Sequence, residues 1–270
     1  MIKWIRLISS CGWTFLRVNN HSIKVNRHKE KYPFLDRLNY ARKGCQKLMK
    51  GGFRTKFIIK GEENITKGQK LYIGNHTSIL DPLLFLGLNN DQVTFVAKKE
   101  LVKVPFFNNI TESVDCAFID REDLRSEIKV FRKIDNMLEE NKDLSILVYP
   151  EGTRSKEIDH PLLEFHPGTF KIATRRDIPI IPVVMHLTDR ILNQQFHFKV
   201  YPIQVTYLKP LMPEEYNTMT NQQIASTLHE RMNEELERMK ANEKSLIMQF
   251  NHYSEKKAAK VMAYKEKKKK

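Results

Sequence analysis

The sequence predicts an α/β protein with a mixed central sheet flanked by helices. Short apolar runs typical of strands alternate with segments in which apolar residues recur at helical spacing. Pro and Gly interrupt the chain where several of these runs end. The length of 270 residues is enough to bury a substantial core as one domain with a short appendage.

The first 50 residues are predicted to form an N-terminal segment of two amphipathic helices. Residues 1–16 mix large apolar groups with cations and contain both tryptophans, Trp4 and Trp13. This composition suits the headgroup boundary of a bilayer, whereas spanning a bilayer takes ~20 mostly apolar residues. Arg17 and the lack of a small-residue cleavage site disfavour a signal peptide. The stripe in 34–49 either packs on the domain or forms a second interfacial helix.

Six strands and four helices are predicted in the main domain, residues 51–245. The apolar runs predict strands at 71–74, 93–97, 114–119, 144–149, 178–185 and 198–207. Helical spacing predicts helices near 82–89, 122–140, 168–176 and 220–240. Asp81-Pro82 is a typical helix start, and Pro167-Gly168 reads as the turn into the third of these helices.

The net charge of +14 is concentrated at the two ends of the chain. Residues 1–30 contain six basic residues against one acidic residue, and residues 255–270 contain eight against two. The central region is only slightly basic, which argues against a nucleic-acid-binding body and favours an anionic lipid surface as partner. We therefore expect peripheral or monotopic association with the cytoplasmic face of the cell membrane, with a basic C-terminal tail at 246–270.

The segment Gly-Asn-His-Thr-Ser-Ile-Leu-Asp-Pro at 74–82 places His76 five residues before Asp81. An imidazole can act as a general base for an alcohol when a carboxylate fixes its tautomer. The pair would span a strand-to-helix turn, where the chain can fold back so that both side chains meet. The alternative is that Asp81 caps a helix and His76 is a polar loop residue, although capping and orienting His76 are compatible roles.

The segment Tyr-Pro-Glu-Gly-Thr-Arg-Ser at 149–155 follows an apolar strand-like run. Loops that leave such strands commonly bind ligands in α/β sheets. Arg154 offers a planar fork of donors suited to phosphate, and Gly152 lets backbone approach a ligand closely. The alternative is an ordinary turn that carries a solvated Arg154.

These segments and two further blocks resemble the motifs of the glycerolipid acyltransferase superfamily, specifically its lysophosphatidic acid (1-acyl-glycerol-3-phosphate) acyltransferases. The four blocks occur in the family's order, at 75–81, at 98–105 with 119–121 downstream, at 150–155 and at 178–184. The resemblance covers roughly residues 55–210. Asn108 and Asn109 follow Phe106-Phe107 where the family often has Gly, a departure that bears on acceptor or acyl-chain preference rather than on the reaction.

The resemblance implies transfer of a fatty acyl group from an acyl thioester to the free hydroxyl of lysophosphatidic acid, giving phosphatidic acid in phospholipid biosynthesis. His76 would deprotonate the hydroxyl, Asp81 would orient His76, and the oxygen would attack the thioester directly. Arg121 and Arg154 would bind the acceptor phosphate. The residues implied to shape or supplement that site are Glu151, Gly152 and Thr153, with Lys98 or Lys99 adding positive charge.

The resemblance further implies that acyl-CoA or acyl-ACP (acyl carrier protein) is the co-substrate, with no bound cofactor and no metal. Two alternatives stay open for the function. One is an acyltransferase acting on glycerol-3-phosphate or another lysophospholipid, and the other is a non-catalytic lipid-binding protein at the membrane surface. A binding protein has no need of a paired base, so the intact His76, Asp81, Glu151 and Arg154 argue against the second alternative.

Four other residues of reactive type are expected to have structural roles. Ser78 lacks the Gly-x-Ser-x-Gly context of a nucleophile and is expected to form local hydrogen bonds. Cys116 lies in an apolar run and is expected to be a buried thiol. His160 and His166 lack the companions of a recognised metal pattern and are expected to be loop residues.

Overall fold

The computed structural model describes residues 2–99, 107–119, 124–155, 157, 159–193 and 196–263. The strands are β1 (Thr55–Lys60), β2 (Leu71–Gly74), β3 (Gln92–Lys98), β4 (Ala117–Ile119), β5 (Leu144–Val148), β6 (Ile180–His186) and β7 (Tyr201–Tyr207). The helices are α1 (Ile2–Arg27), α2 (Phe34–Gly51), α3 (Asp81–Leu88), α4 (Phe107–Ser113), α5 (Leu124–Glu140), α6 (Lys171–Thr174), α7 (Asp189–Leu192), α8 (Pro213–Tyr216), α9 (Asn221–Ala241), α10 (Glu243–Asn251) and α11 (Glu255–Ala263).

The seven strands form one sheet in the order β1-β7-β6-β2-β5-β3-β4. Every neighbouring pair is parallel except β6 and β7, so the predicted mixed sheet is confirmed. Strands β2 to β6 consequently direct their carboxyl ends to the same edge of the sheet, and β7 and β1 run the opposite way. Loops from the middle of the chain therefore converge at that edge.

Hydrophobic cores lie on both faces of the sheet. On one face, α2 and α3 contribute buried residues such as Leu38, Cys45 and Leu84. On the other face, α5 and α9 contribute residues that include Ile134 and Met232. Coverage of both faces explains why the inner strands β2, β5 and β6 are buried along their whole length rather than at alternate positions.

Helices α1 and α2 pack against each other, and α1 also packs against α4. The stripe of α2, with Leu38, Ala41 and Cys45, is buried on the domain, so the packing interpretation is correct for these residues. Trp13, in contrast, is 75% exposed on α1, and the side chain of Trp4 lies outside the described residues. Within the described ranges, no helix is long and apolar enough to cross a membrane. Membrane binding by the N-terminal segment stays a prediction.

The chain after residue 241 is helical where the sequence placed a basic tail from residue 246. Helix α10 buries Ile247 against the core, and Asn251 exchanges hydrogen bonds with the backbone of Val200 at 2.9 and 3.0 Å. Helix α11 follows and packs on α10, with Ala258 fully buried. Residues 264–270 lie outside the described part of the chain.

Three further differences from the predicted elements concern short segments. Strand β1 was missed, because its Thr-Lys-Phe-Ile-Ile-Lys sequence is brief and it pairs at the edge of the sheet. The run at 114–119 forms a strand only from Ala117, because α4 and a turn at Asp115 precede it. The helix predicted near 168–176 is a 3₁₀ turn at Pro167–Phe170 that continues into the single turn of α6.

Candidate active site

The loops after β2, β5 and β6 and the end of β3 meet at the carboxyl edge of the sheet. The loop after β2 contains His76 and leads to Asp81 at the start of α3. The loop after β5 contains residues 149–155, β3 ends at Lys98, and β6 leads into Thr188. Because β2 is hydrogen-bonded to both β5 and β6, the first two loops and Thr188 are adjacent in space.

His76 and Asp81 form the predicted pair, with His76 Nδ1 2.9 Å from Asp81 Oδ2. The carboxylate has no exposed surface, and the same oxygen accepts the backbone N–H groups of Thr77 and Ser78 at 2.8 Å each. These donors precede α3, so the carboxylate turns back onto the loop instead of capping the helix. An ionised carboxylate only accepts hydrogen bonds, and Nδ1 of His76 therefore carries the proton while Nε2 offers a lone pair.

Tyr149 stacks on the imidazole of His76, with ring centroids 4.3 Å apart and an interplanar angle of 23°. Burial raises the pKa of the Tyr149 phenol well above its ordinary value. Gly74 makes this arrangement possible, because a Cβ atom there would lie 2.9 Å from Tyr149 Cε1. The sequence indicated no role for Tyr149, although it lies directly before Pro150 in the second segment.

Glu151 joins the His76 loop to the rest of the second segment. Its carboxylate is buried, and it accepts the backbone N–H of His76 at 2.6 Å and that of Leu163 at 3.0 Å. The backbone N–H of Ser155 also donates to the carbonyl of His76, at 3.3 Å. Burial raises the pKa of Glu151 to about 7. These bonds make the two predicted segments one structural unit, and substrate contact by Glu151 stays a prediction.

Asn75 fixes the exit of β2 relative to that of β6. Its side-chain Nδ2 donates to the carbonyl of Met185 at 2.9 Å, and its Oδ1 accepts the N–H of Met185 at 2.8 Å. The side-chain amide of Asn75 thereby makes two hydrogen bonds to β6 at the point where the backbone pairing of β2 with β6 has ended. The residue next to His76 is held as firmly as a residue within the sheet.

A cavity of about 150 Å³ opens beside His76. Its lining includes Lys98, Gly152, Thr153 and Arg154, all predicted from the sequence. The φ angle of +71° at Gly152 is one that glycine adopts readily, and the Thr153 and Arg154 side chains that follow are exposed to solvent. The remaining lining is largely apolar and includes Ile79, Pro82, Phe95, Val96, Ala97 and Ile119.

Of the predicted substrate-binding residues, the buried Glu151 and the exposed Lys99 do not line this cavity, and the structure does not describe Arg121. Lys99 is exposed next to Lys98 but does not line the cavity. Arg121 lies outside the described residues, as do residues 100–106 of the second block. Binding of substrate by Lys99 or Arg121 stays a prediction.

The other reactive residues have the structural roles that the sequence indicated. The Oγ of Ser78 accepts the backbone N–H of Leu80 at 3.2 Å. Burial raises the pKa of the Cys116 thiol to about 12, so this residue remains protonated at neutral pH. His160 contacts the carboxylate of Asp189 at 3.2 Å. Within the described ranges, no group of three or more His, Cys, Asp or Glu side chains is arranged for a metal ion.

Comparison with known proteins shows which family the chain resembles. A family model described as Acyltransferase matches residues 56–186, which include both catalytic candidates and the whole 149–155 segment. The crystal structure of the 1-acyl-sn-glycerophosphate (LPA) acyltransferase PlsC from Thermotoga maritima has a similar fold. Its TM-score is 0.64 at 22% identity, over 88% of this chain and 98% of that chain.

Three curated relatives are similar in sequence. The probable 1-acyl-sn-glycerol-3-phosphate acyltransferase of Mycoplasma pneumoniae is 29% identical, over 64% of this chain and 68% of that protein. The 1-acyl-sn-glycerol-3-phosphate acyltransferase of Saccharomyces cerevisiae is 31% identical, but the match spans only 59% of its length. The enzyme of that name from Haemophilus influenzae is 30% identical, over 60% of this chain and 68% of its own length. On these matches, the chain belongs to the 1-acyl-sn-glycerol-3-phosphate acyltransferase family.

Proposed function

We propose that this protein transfers a fatty acyl group from an acyl thioester to the free hydroxyl of 1-acyl-glycerol-3-phosphate, which yields phosphatidic acid. The observation that carries the proposal is the pair of the partly exposed His76 and the buried Asp81, beside a cavity lined by both cationic and apolar residues. The names of the related proteins state the same acceptor. The cationic residues suit the phosphate of such an acceptor, and the apolar residues suit a fatty chain.

In the proposed reaction, His76 Nε2 takes the proton of the acceptor hydroxyl as its oxygen attacks the thioester carbonyl. The buried carboxylate of Asp81 stabilises the imidazolium that forms. The tetrahedral intermediate then collapses, the carbon–sulfur bond breaks, and the imidazolium returns its proton to the departing thiolate. No acyl-enzyme is formed, in keeping with the protonated state of the Cys116 thiol.

Arg154 is proposed to bind the acceptor phosphate, and Lys98 and Thr153 line the same cavity. A guanidinium forms two parallel hydrogen bonds with phosphate oxygens, and Gly152 allows the adjacent backbone to approach the same group. The donor is either acyl-CoA or acyl-ACP, both of which are acidic and suited to a basic protein. The reaction is proposed to take place on an anionic membrane surface, where the acceptor resides.

The decisive experiment measures release of free thiol from an acyl-CoA donor, and in parallel from an acyl-ACP donor, by the purified full-length protein in the presence of anionic vesicles. Separate reactions contain 1-acyl-glycerol-3-phosphate, glycerol-3-phosphate, another lysophospholipid or no acceptor. We expect release that depends on 1-acyl-glycerol-3-phosphate and disappears in His76→Ala, which should remain folded by circular dichroism. If thiol is released with glycerol-3-phosphate but with none of the other acceptors, glycerol-3-phosphate is the acceptor instead. Absence of release with CoA and ACP donors alike would favour a lipid-binding role.

The phosphate site has its own test in Arg154→Ala. Loss of a charge-assisted hydrogen bond costs about 1.5 to 3 kcal/mol, which corresponds to roughly a 10- to 150-fold fall in kcat/KM for the acceptor. The KM for the donor should change little. The exposed Arg132 on α5 provides a matched control, since its replacement by Ala removes an equal charge outside the cavity. If kcat/KM for the acceptor is unchanged in Arg154→Ala, the acceptor phosphate does not bind at Arg154.

A further inference from the structure

Thr188, which belongs to neither predicted catalytic segment, contacts the side of Asp81 that faces away from His76. Its Oγ1 lies 2.6 Å from Asp81 Oδ1, and neither side chain has any exposed surface. The oxygen that binds His76 is Oδ2. Thr188 and His76 therefore hold opposite oxygens of one buried carboxylate.

The direction of the hydrogen bonds around Thr188 follows from the charge on Asp81. An ionised carboxylate can only accept, so Thr188 must donate its single hydroxyl proton to Oδ1. Thr188 Oγ1 is also 2.9 Å from Thr77 Oγ1, and in this contact Thr77 is the donor. A directed chain runs from Thr77 through Thr188 to Asp81, which leaves the carboxylate with one orientation.

The backbone at this point is unusual in a way that places Thr188. Leu187, directly before it, has a φ angle of +72°, a conformation that is unfavourable for a residue with a Cβ atom. This turn follows β6, whose end is bound to Asn75 through Met185. The strained conformation of Leu187 thus occurs at the turn that directs the Thr188 hydroxyl toward Asp81.

We propose that Thr188 is a positioning residue for the His76–Asp81 pair, an inference that rests on the proposed acyl transfer. By holding Oδ1, Thr188 prevents rotation of the carboxylate and keeps Oδ2 aligned with His76 Nδ1. The imidazole then retains the tautomer in which Nε2 accepts a proton from the acceptor hydroxyl. Thr188 acts through Asp81 and is not itself proposed to touch substrate.

The test compares Thr188→Val, which keeps the shape but removes the hydroxyl, with Thr188→Ser, which keeps the donor. Thr206→Val is the matched control, because Thr206 Oγ1 also lies 2.6 Å from a carboxylate, that of Glu235, at a position outside the cavity. Kinetic constants for 1-acyl-glycerol-3-phosphate and the pH profile of kcat are measured for each full-length protein. Thermal unfolding shows whether the two valine variants lose comparable stability.

We expect Thr188→Val to lower kcat roughly 10- to 100-fold, with the acceptor KM unchanged within about twofold. The acidic limb of its kcat profile should move to lower pH, because a carboxylate that is no longer aligned with His76 Nδ1 stabilises the imidazolium less. Thr188→Ser should restore both values, and Thr206→Val should leave them as in wild type. The inference is overturned if Thr188→Val behaves like Thr206→Val, or if serine fails to restore activity.

A second readout separates this inference from the proposed function. Nitrogen-15 shifts of the His76 ring, assigned by their loss in His76→Ala, report the tautomer without any turnover. Glu151 and Tyr149 also titrate and contact His76, but both are retained in every Thr188 variant, so a changed tautomer is attributable to Thr188. If wild type transfers no acyl group, a mixed tautomer in Thr188→Val still upholds positioning, and an unchanged tautomer overturns it.

Discussion

Individual residues at the site illustrate what sequence reasoning reached and what it missed. The pairing of His76 with Asp81 was predicted and is confirmed, because a five-residue separation across a strand-to-helix turn is a local property. Tyr149 and Thr188 were not predicted as partners of this pair. Thr188 is distant in the chain from Asp81, and it is the pairing of β2 with β6 that brings the two together.

Glu151 leads to a prediction about stability and pH. Burial raises its pKa from an ordinary 4.5 to about 7, so the folded protein binds this proton more tightly than the unfolded chain. The contribution of Glu151 to the unfolding free energy should therefore fall by about 3 kcal/mol as the pH rises from about 4.5 to about 7.5. Urea unfolding of wild type and Glu151→Gln across this range measures it.

Glutamine does not titrate. The hydrogen bond that is lost in Glu151→Gln therefore lowers the unfolding free energy by an amount that does not depend on pH. The difference in unfolding free energy between wild type and Glu151→Gln should shrink steadily toward higher pH. A difference that stays flat would mean that the Glu151 carboxyl is ionised throughout the range in the folded protein. The other titrating groups are common to both proteins and largely cancel in this comparison.

The most buried strands of the sheet were the easiest to predict from the sequence. The inner strands β2, β5 and β6 are fully buried and mostly apolar, a pattern that is visible directly in the sequence. Strand β1 is at the edge and only partly buried, so its pattern is weak. Helix α10 was missed because its burial depends on packing against β7, a long-range contact that local spacing does not indicate.

The ends of β2 and β5 approach each other closely, and this contact between elements gives a testable prediction. Gly74→Ala places a methyl group against the Tyr149 ring, which must shift and disturb the stacked His76. We expect a loss of roughly 1 to 3 kcal/mol in unfolding free energy and a lower kcat. Urea unfolding and the thiol-release assay measure the two effects.

Gly51→Ala is the control for this substitution, since a Cβ there would meet nothing within 4 Å. It should be as stable as wild type or slightly more stable, because alanine favours the helix. Its kcat should not change. Wild-type activity in Gly74→Ala would show that the position of the Tyr149 ring does not matter to His76.

The whole molecule combines a nearly neutral body with basic ends and an exposed apolar site on α1. Trp13 and Leu16 are exposed there, on a helix that also bears Arg17, Lys24 and Arg27. We predict that the protein binds anionic vesicles more tightly than zwitterionic ones, and that added salt weakens the binding. Replacing Trp13 and Leu16 by Ala should weaken vesicle binding roughly tenfold, because their apolar surface no longer enters the interface.

Vesicle co-sedimentation measures this binding, and Ile128→Ala serves as the control. Ile128 is also an exposed apolar residue, but it lies on α5, at the opposite face of the sheet from α2. Its replacement should leave binding unchanged. If wild type and the variant with both Trp13 and Leu16 replaced bind vesicles equally well, the N-terminal segment has a structural role and does not bind the membrane through these residues.

The side-chain amide of Asn75 has one more consequence, for the detection of motion at the site. The N–H of Met185 is donated to this side chain and not to another backbone group. In hydrogen exchange, the Met185 amide proton becomes exposed when the Asn75 side chain leaves it, as happens when the loop carrying His76 detaches from β6, or when the whole sheet unfolds. A faster exchange of this proton than of its β6 neighbours would directly report opening of the loop, in a protein that is otherwise still folded.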